Sequence, residues 1–200
     1  MTLACPGGVV QGPDWPRVST DGGRGALFLD RDGIVNVNHG YVHTVDRTDW
    51  VPGIFALCAA ARDAGYSLVI VTNQAGIGRG YYDEAGFRRY SEWMHAQFAQ
   101  RGVPLTGIYF CPCHPDAGLG RYRRDCECRK PAPGMLLRAA ADIGIELGAS
   151  ILVGDSISDV QAAQAAGVRL AVLFDNADQG LASLAGLFTP VLAVEKGTST

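Results

Sequence analysis

Five short apolar runs mark this chain, and they constrain its fold more than any other feature: GALFLD (25–30), SLVIVT (67–72), TGIYF (106–110), ILVGD (151–155) and VRLAVLF (168–174). Each has the length of a strand, and the runs are too continuously apolar for strands with one face in water. They read as strands covered on both faces. Helical signals fill the gaps between them. PGIFALCAAARDAG (52–65) carries Pro52 at its start and Gly65 at its end, the residues suited to those two positions. Asp83 can cap a helix in which Phe87, Tyr90, Met94 and Phe98 recur at three- and four-residue steps, a stripe that reads as core. Pro133 opens a further helix to about Ile143, and SDVQAAQAAG supplies a short one. Parallel strands require crossover connections, so this alternation predicts an α/β, Rossmann-like parallel sheet with helices on both faces.

Two hundred residues suit one domain. Residues 1–24, rich in Gly, Pro and small polar residues, read as a flexible extension, and 25–195 as the domain. Cys58, within the apolar IFALCAAA, reads as core. A net charge of −3 gives no general reason to expect nucleic acid or an anionic membrane as partner. No apolar run reaches the roughly 20 residues a membrane span needs. MTLACPGGVV holds no basic residue and no long apolar core, so a signal peptide is not expected and the cytoplasm is the expected compartment.

In parallel sheets, sites lie beyond the carboxyl ends of the strands. The first run ends in Asp30-Arg31-Asp32-Gly33 and the second in Thr72-Asn73-Gln74. The loop after the third delivers Arg129-Lys130, and the fourth ends in Gly154-Asp155 with Asp159 one turn on. Carboxylates gathered at one sheet edge repel one another and imply a cation. A hard divalent ion completed by water and phosphate oxygens is the magnesium arrangement. Asp30 is then a competent nucleophile toward phosphorus, Asp32 can handle the proton, and Thr72 and Lys130 can steady a phosphoryl group. Any one of these elements alone is commonplace loop chemistry. Their joint occurrence at successive strand ends is not.

A second motif is C-x-C-x12-C-x-C, formed by Cys111, Cys113, Cys126 and Cys128. In a reducing compartment four soft ligands suit a closed, structural tetrahedral zinc better than disulfides. His114 is the minor alternative to Cys113, because adjacent residues rarely both reach one ion. Arg121, Arg123 and Arg124 lie between the pairs, but with Tyr122 as the only interleaved aromatic they read as a solvated face or substrate rim rather than a nucleic-acid grip.

D-x-D-G, the threonine, the lysine before P-x-P-G, and GDSxxD together resemble the haloacid dehalogenase (HAD) superfamily of aspartate-dependent phosphotransferases. FLDRDGIVN, HGYVH, VTNQAGIGRG, CECRKPAPGM and VGDS resemble the branch that holds the heptose bisphosphate and histidinol phosphate phosphatases. The resemblance covers about residues 25–175. It implies Asp30 as nucleophile, Asp32 as general acid and base, and Thr72 and Lys130 on the phosphoryl group. It places magnesium on Asp30, Asp155 and the Asp32 carbonyl, with Asp159 supporting them. Asn38, His39, Gly40, Tyr41, Asn73, Gln74, Ala75, Arg129 and Ser156 fall where the family contacts substrate, although Ser156 stands where many relatives carry lysine. Family members usually have Cys-x-His as the first zinc pair. The implied partner is a small sugar phosphate, met by a monomer or at most a weak homo-oligomer. About forty residues separate Asp32 from Thr72, so no large cap domain is expected. A phospho-accepting signalling domain and a non-catalytic zinc module are the other classes. The first has no use for Asp32 so near the nucleophile, and the second leaves the aspartates unexplained.

Overall fold

A computed structural model describes residues 6–16, 25–175 and 180–188. In chain order its strands and helices are β1 (Gly8–Val10), β2 (Ala26–Leu29), α1 (Ile54–Asp63), β3 (Ser67–Asn73), α2 (Ala75–Gly78), α3 (Glu84–Gln100), β4 (Gly107–Cys111), α4 (Gly134–Ile143), β5 (Ile151–Gly154), α5 (Ile157–Ala166) and β6 (Leu170–Leu173). The sheet runs β1-β4-β3-β2-β5-β6. Its last five strands are mutually parallel.

Alternation along each strand sends side chains to two separate cores, so the sequence runs must be apolar throughout. Leu27, Leu29, Ile70, Ile108, Phe110 and Val153 face α1 and the Phe87–Tyr90–Met94–Phe98 stripe of α3. Phe28, Val69, Val71, Tyr109 and Leu152 face Met135, Leu136 and Ala139 of α4 and Ala162 and Ala163 of α5. Burying each large side chain stabilises by about 1.5–3 kcal/mol. The cysteine-bearing loop packs on the second face, with all four of its cysteines buried. Cys58 is fully buried in the first core.

Asp83 caps α3 by accepting the Gly86 N–H at 2.7 Å. A 3-10 helix, Leu181–Phe188, buries Leu181 and Phe188 in the first core.

The expectation of a loose extension is corrected for residues 6–16. β1 pairs antiparallel with β4, Val9 opposite Tyr109. Arg88 Nη1 donates to the Val9 carbonyl at 2.7 Å, Gln11 Nε2 to the Thr106 carbonyl at 2.9 Å, and Arg138 Nη1 to the Gly7 carbonyl at 3.1 Å. Trp15 stacks on His95 of α3, with 3.8 Å between ring centroids. Backbone pairing and one aromatic stack thus order a segment whose composition alone signals a coil. Residues 1–5, 17–24, 176–179 and 189–195, which belong to the predicted extension and domain, lie outside the described residues.

Candidate active site

Because β2, β3, β4 and β5 run parallel, their carboxyl ends bring chemistry from distant parts of the chain to one edge. A cavity of about 320 Å³ opens there, lined among others by Asp30, Asp32, Thr72, Lys130 and Asp155. The Asp30 N–H donates to the Val153 carbonyl at 3.0 Å, which extends the β2–β5 ladder to the aspartate itself. Lys130 is almost wholly buried. Its Nζ lies 2.7 Å from Asp30 Oδ1, 2.6 Å from Asp159 Oδ1 and 2.9 Å from the Val71 carbonyl oxygen. The loop that delivers Lys130 is fastened to β3 by Asn73, whose amide accepts the Lys130 N–H and donates to the Lys130 carbonyl, each at 3.1 Å.

Asp32 is held from three directions. Arg31 Nη2 donates to its two oxygens at 2.8 and 2.6 Å, Asn36 Nδ2 at 3.0 Å and Gln74 Nε2 at 3.3 Å. Gln74 Nε2 also donates to Thr72 Oγ1 at 2.8 Å, which leaves the threonine hydroxyl its own proton for a ligand oxygen. Tyr82 completes the chain by donating to Gln74 Oε1 at 2.6 Å.

Oxygen atoms of Asp30, Asp155 and Asp159 lie within 4.8 Å of one another. Asp159 is buried, with one oxygen on Lys130 and the other on the Ser156 N–H (3.1 Å) and Oγ (2.8 Å). Gly33 explains the fourth position of D-x-D-G twice over. Its φ is +96°, and a Cβ there would overlap the Asp155 carboxylate.

The electrostatics follow from burial and crowding. Asp30 is raised to about 6: burial raises it most, Lys130 pulls it down, and the Asp159 and Asp32 charges push it up. Asp155 is raised by burial and by Asp159. Burial works against the Lys130 charge, but Asp30 and Asp159 outweigh it and hold the ammonium above its ordinary range. Four carboxylates (Asp30, Asp32, Asp155, Asp159) against two cations (Lys130, Arg31) leave two negative charges here. A hard dication on oxygen ligands fits that deficit.

Most of the predicted substrate contacts line the cavity: Asn38, Gly40, Tyr41, Asn73, Gln74, Ala75 and Ser156. Tyr41 adopts φ +51°, next to Gly40 at φ +74°, a rare backbone state for a bulky residue. Two predicted contacts stand apart. His39 Nε2 meets Asp49 Oδ2 at 2.8 Å on the exposed flank. Arg129 donates from Nη1 to the Cys113 carbonyl at 3.0 Å and lines a neighbouring hollow with Cys126 and Lys130. Ser156 caps α5, and its Oγ lies 2.7 Å from that of Ser158, a cavity residue that sequence reasoning missed. Tyr82 was missed as well. It follows a Gly-Arg-Gly turn and carries no motif, so only the fold brings it to the cavity.

In the cysteine loop, the sulfurs of Cys111, Cys113 and Cys126 lie within 4.8 Å of one another, and Cys128 is buried in the same core. Burial pushes the Cys111 thiol up to about 12 and raises that of Cys113. His114 is turned elsewhere: Nδ1 accepts the Asp116 and Ala117 N–H groups at 3.2 and 3.1 Å. Arg121 pairs with Glu84 at 3.1 Å, and Tyr122 donates to the same carboxylate at 2.6 Å, so this loop is tied to α3.

A parallel sheet that carries two aspartates after its central strand, a threonine at the next, and a lysine and a further acid from neighbouring elements is that of a phosphatase of the HAD type. The HAD-hydrolase-like family matches residues 127–183. The chain is 52% identical over 153 residues to D-glycero-alpha-D-manno-heptose-1,7-bisphosphate 7-phosphatase of Burkholderia mallei, covering 76% of this chain and 81% of the relative. It is 51% identical over 148 residues to D-glycero-beta-D-manno-heptose-1,7-bisphosphate 7-phosphatase of Yersinia pestis, covering 74% and 79%. The crystal structure of the D,D-heptose 1,7-bisphosphate phosphatase of B. bronchiseptica, complexed with magnesium and phosphate, superposes with a TM-score of 0.68 at 32% identity, covering 82% of this chain and 97% of that one. The chain belongs to the HAD-like phosphatase family.

Proposed function

We propose that this protein removes the C7 phosphate of D-glycero-D-manno-heptose 1,7-bisphosphate through an aspartyl-phosphate on Asp30. The observation that carries the chemistry is the meeting of Asp30, Lys130 and Asp159 within 2.7 Å contacts at the cavity floor, beside Asp155 and Asp32. The substrate rests on relatives at 51–52% identity that bear that name. Asp30 attacks phosphorus as the sugar oxygen departs, and Asp32 gives that oxygen its proton. Asp32 then takes a proton from the water that cleaves the Asp30–phosphorus bond. Thr72 and Lys130 donate to the phosphoryl oxygens, and Asn73 fixes Lys130 for the purpose.

Asp30, Asp155 and the Asp32 carbonyl would hold magnesium, which when bound supplies countercharge to the phosphoryl group. Cys111, Cys113, Cys126 and Cys128 would hold a structural zinc as thiolates. The support is the clustered, buried sulfurs. His114, occupied by two backbone N–H groups, is the weaker fourth ligand. Asn38, Gly40, Tyr41, Gln74, Ala75 and Ser156 face the sugar, and Arg129 stands at its far side. The setting is a cytoplasmic monomer.

Phosphate release from the α- and β-anomers of the heptose bisphosphate and from histidinol phosphate tests the reading. Faster turnover of histidinol phosphate than of either heptose anomer overturns it. The two anomers belong together in that assay, because the relatives divide between them.

A further inference from the structure

Arg31 sits between the two aspartates of the motif, and the chemistry above leaves it no part. It heads the fully buried side chains by volume, with 1% of its surface exposed. One nitrogen, Nη2, makes all of its hydrogen bonds: to the two oxygens of Asp32 at 2.8 and 2.6 Å and to the Val42 carbonyl at 2.6 Å. Nε and Nη1 are buried with no hydrogen-bond partner. The guanidinium carbon instead lies 5.7 Å from the ring centroid of Phe87 and 5.5 Å from that of Tyr90.

Burying a cation costs several kcal/mol even when it is paired, and an apolar side chain in its place is often no worse for stability. Two ring faces return only a small part of that cost. The stability of this core therefore gives little reason for an arginine here, whereas Asp32 gives a strong one. The Asp32 side chain remains 21% exposed and lines the cavity. Behind it Nη2 spans both oxygens, while Asn36 and Gln74 approach from the sides.

We propose that Arg31 is a positioning residue for the proton-transfer group: seated against Phe87 and Tyr90 and tied to the Val42 carbonyl, it fixes the Asp32 carboxylate toward the reacting oxygen. This rests on the assignment of Asp32 as acid and base. In the first half-reaction an Asp30–phosphorus bond forms, the phosphorus–sugar oxygen bond breaks, and the Asp32 proton passes to the sugar oxygen. In the second a water–phosphorus bond forms, the Asp30–phosphorus bond breaks, and a water proton returns to Asp32.

The consequence is a dependence on the leaving group. A sugar alkoxide needs the Asp32 proton, whereas p-nitrophenolate leaves without one. Hydrolysis of the phosphoenzyme needs Asp32 with either substrate. Full-length wild type, Arg31→Met, Arg31→Lys and Asp32→Asn are compared with magnesium present, on the heptose bisphosphate at steady state and on p-nitrophenyl phosphate by stopped flow. Proton transfer contributes about 10²–10⁴-fold, and a misplacement of about 1 Å can cost about 10²-fold. Arg31→Met should thus lose about 100-fold in kcat on the sugar phosphate while its nitrophenolate burst keeps within about fivefold of the wild-type phosphorylation rate. Arg31→Lys keeps the buried charge but cannot span both oxygens and stack on the rings together. It should show the same split at about tenfold, and it carries the test if the methionine variant does not fold. An equal fall of burst and sugar phosphate turnover, or no fall in either, overturns the proposal. If Asp32→Asn itself shows no such split, the assignment of Asp32 falls and the proposal with it. If Asp32→Asn splits and neither Arg31 variant does, only the role of Arg31 falls.

Discussion

Replacing Lys130 by methionine keeps most of the stem volume and removes one buried charge from the centre of three contacts. In the native protein the ammonium is 3% exposed and serves Asp30, Asp159 and the Val71 carbonyl at 2.6–2.9 Å. Asp159 has no access to water. Breaking a buried ion pair from one side costs about 3–5 kcal/mol, because the remaining charge is stranded. Here Asp30 has an escape, since its raised carboxyl can take a proton. Asp30 already sits at about 6 with Lys130 pulling it down, and without that pull it rises further. The expected loss of stability is therefore about 3 kcal/mol at pH 8 and markedly less at pH 5. The sign follows from linkage. A carboxyl raised above its unfolded value of 3.8 stabilises the folded state when protonated and loses that contribution as pH rises through its folded value. The gap between wild type and variant should thus open as pH climbs past about 6. Urea unfolding of both proteins at pH 5 and pH 8, in chelator, measures it. Turnover should fall by about 10²–10³, the usual cost of losing one preorganised donor to a transition state. A loss below about 1 kcal/mol at both pH values, or activity within about tenfold of wild type, would refute the picture of Lys130 as both keystone and phosphate ligand.

Three further outcomes are expected. Asp30→Asn should abolish phosphate release while its circular dichroism and zinc content match wild type, and near-native turnover would exclude this nucleophile. Cys126→Ser should lose stoichiometric zinc by elemental analysis and impair handling of the sugar substrate, whereas a zinc-replete, fully active variant would exclude the cysteine ligand set. Magnesium and protons compete for Asp30, so the apparent magnesium affinity by calorimetry should weaken about tenfold per pH unit below about 6 and level off above it; an affinity flat from pH 5 to 8 would count against Asp30 as a ligand.

The legible parts of the molecule share one property: local sequence and final environment agree. A strand buried on both faces has to be apolar, and a residue that meets a phosphate has to be polar, so the change of character at Asp30, Thr72 and Asp155 marks the sheet edge in the sequence itself. The same holds for the α3 stripe and the Asp83 cap. Where tertiary contact decides, the sequence is mute. Gly8–Val10 is a three-residue run too short to read as a strand, and it becomes one because β4 offers it an edge. The α2 helix, only four residues long and starting at Ala75, has no period to read. His39 falls in a motif with Asn38 and Tyr41, but the chain turns at Gly40 and sends it to Asp49 instead. Arg31 has no signal of its own between two aspartates; its role depends on rings 56 and 59 residues further along.

The short N-terminal strand has a consequence for how these molecules share a solution. Without it, β4 would present a row of unpaired amides and carbonyls, a template onto which the sheet of another molecule could add. β1 satisfies part of that row, and it cannot become a template of comparable length itself, because it ends within three residues and Gly12-Pro13 follows after only Gln11. A segment far from the phosphate edge thereby guards against head-on polymerisation of a catalytic sheet whose strands are otherwise built to pair.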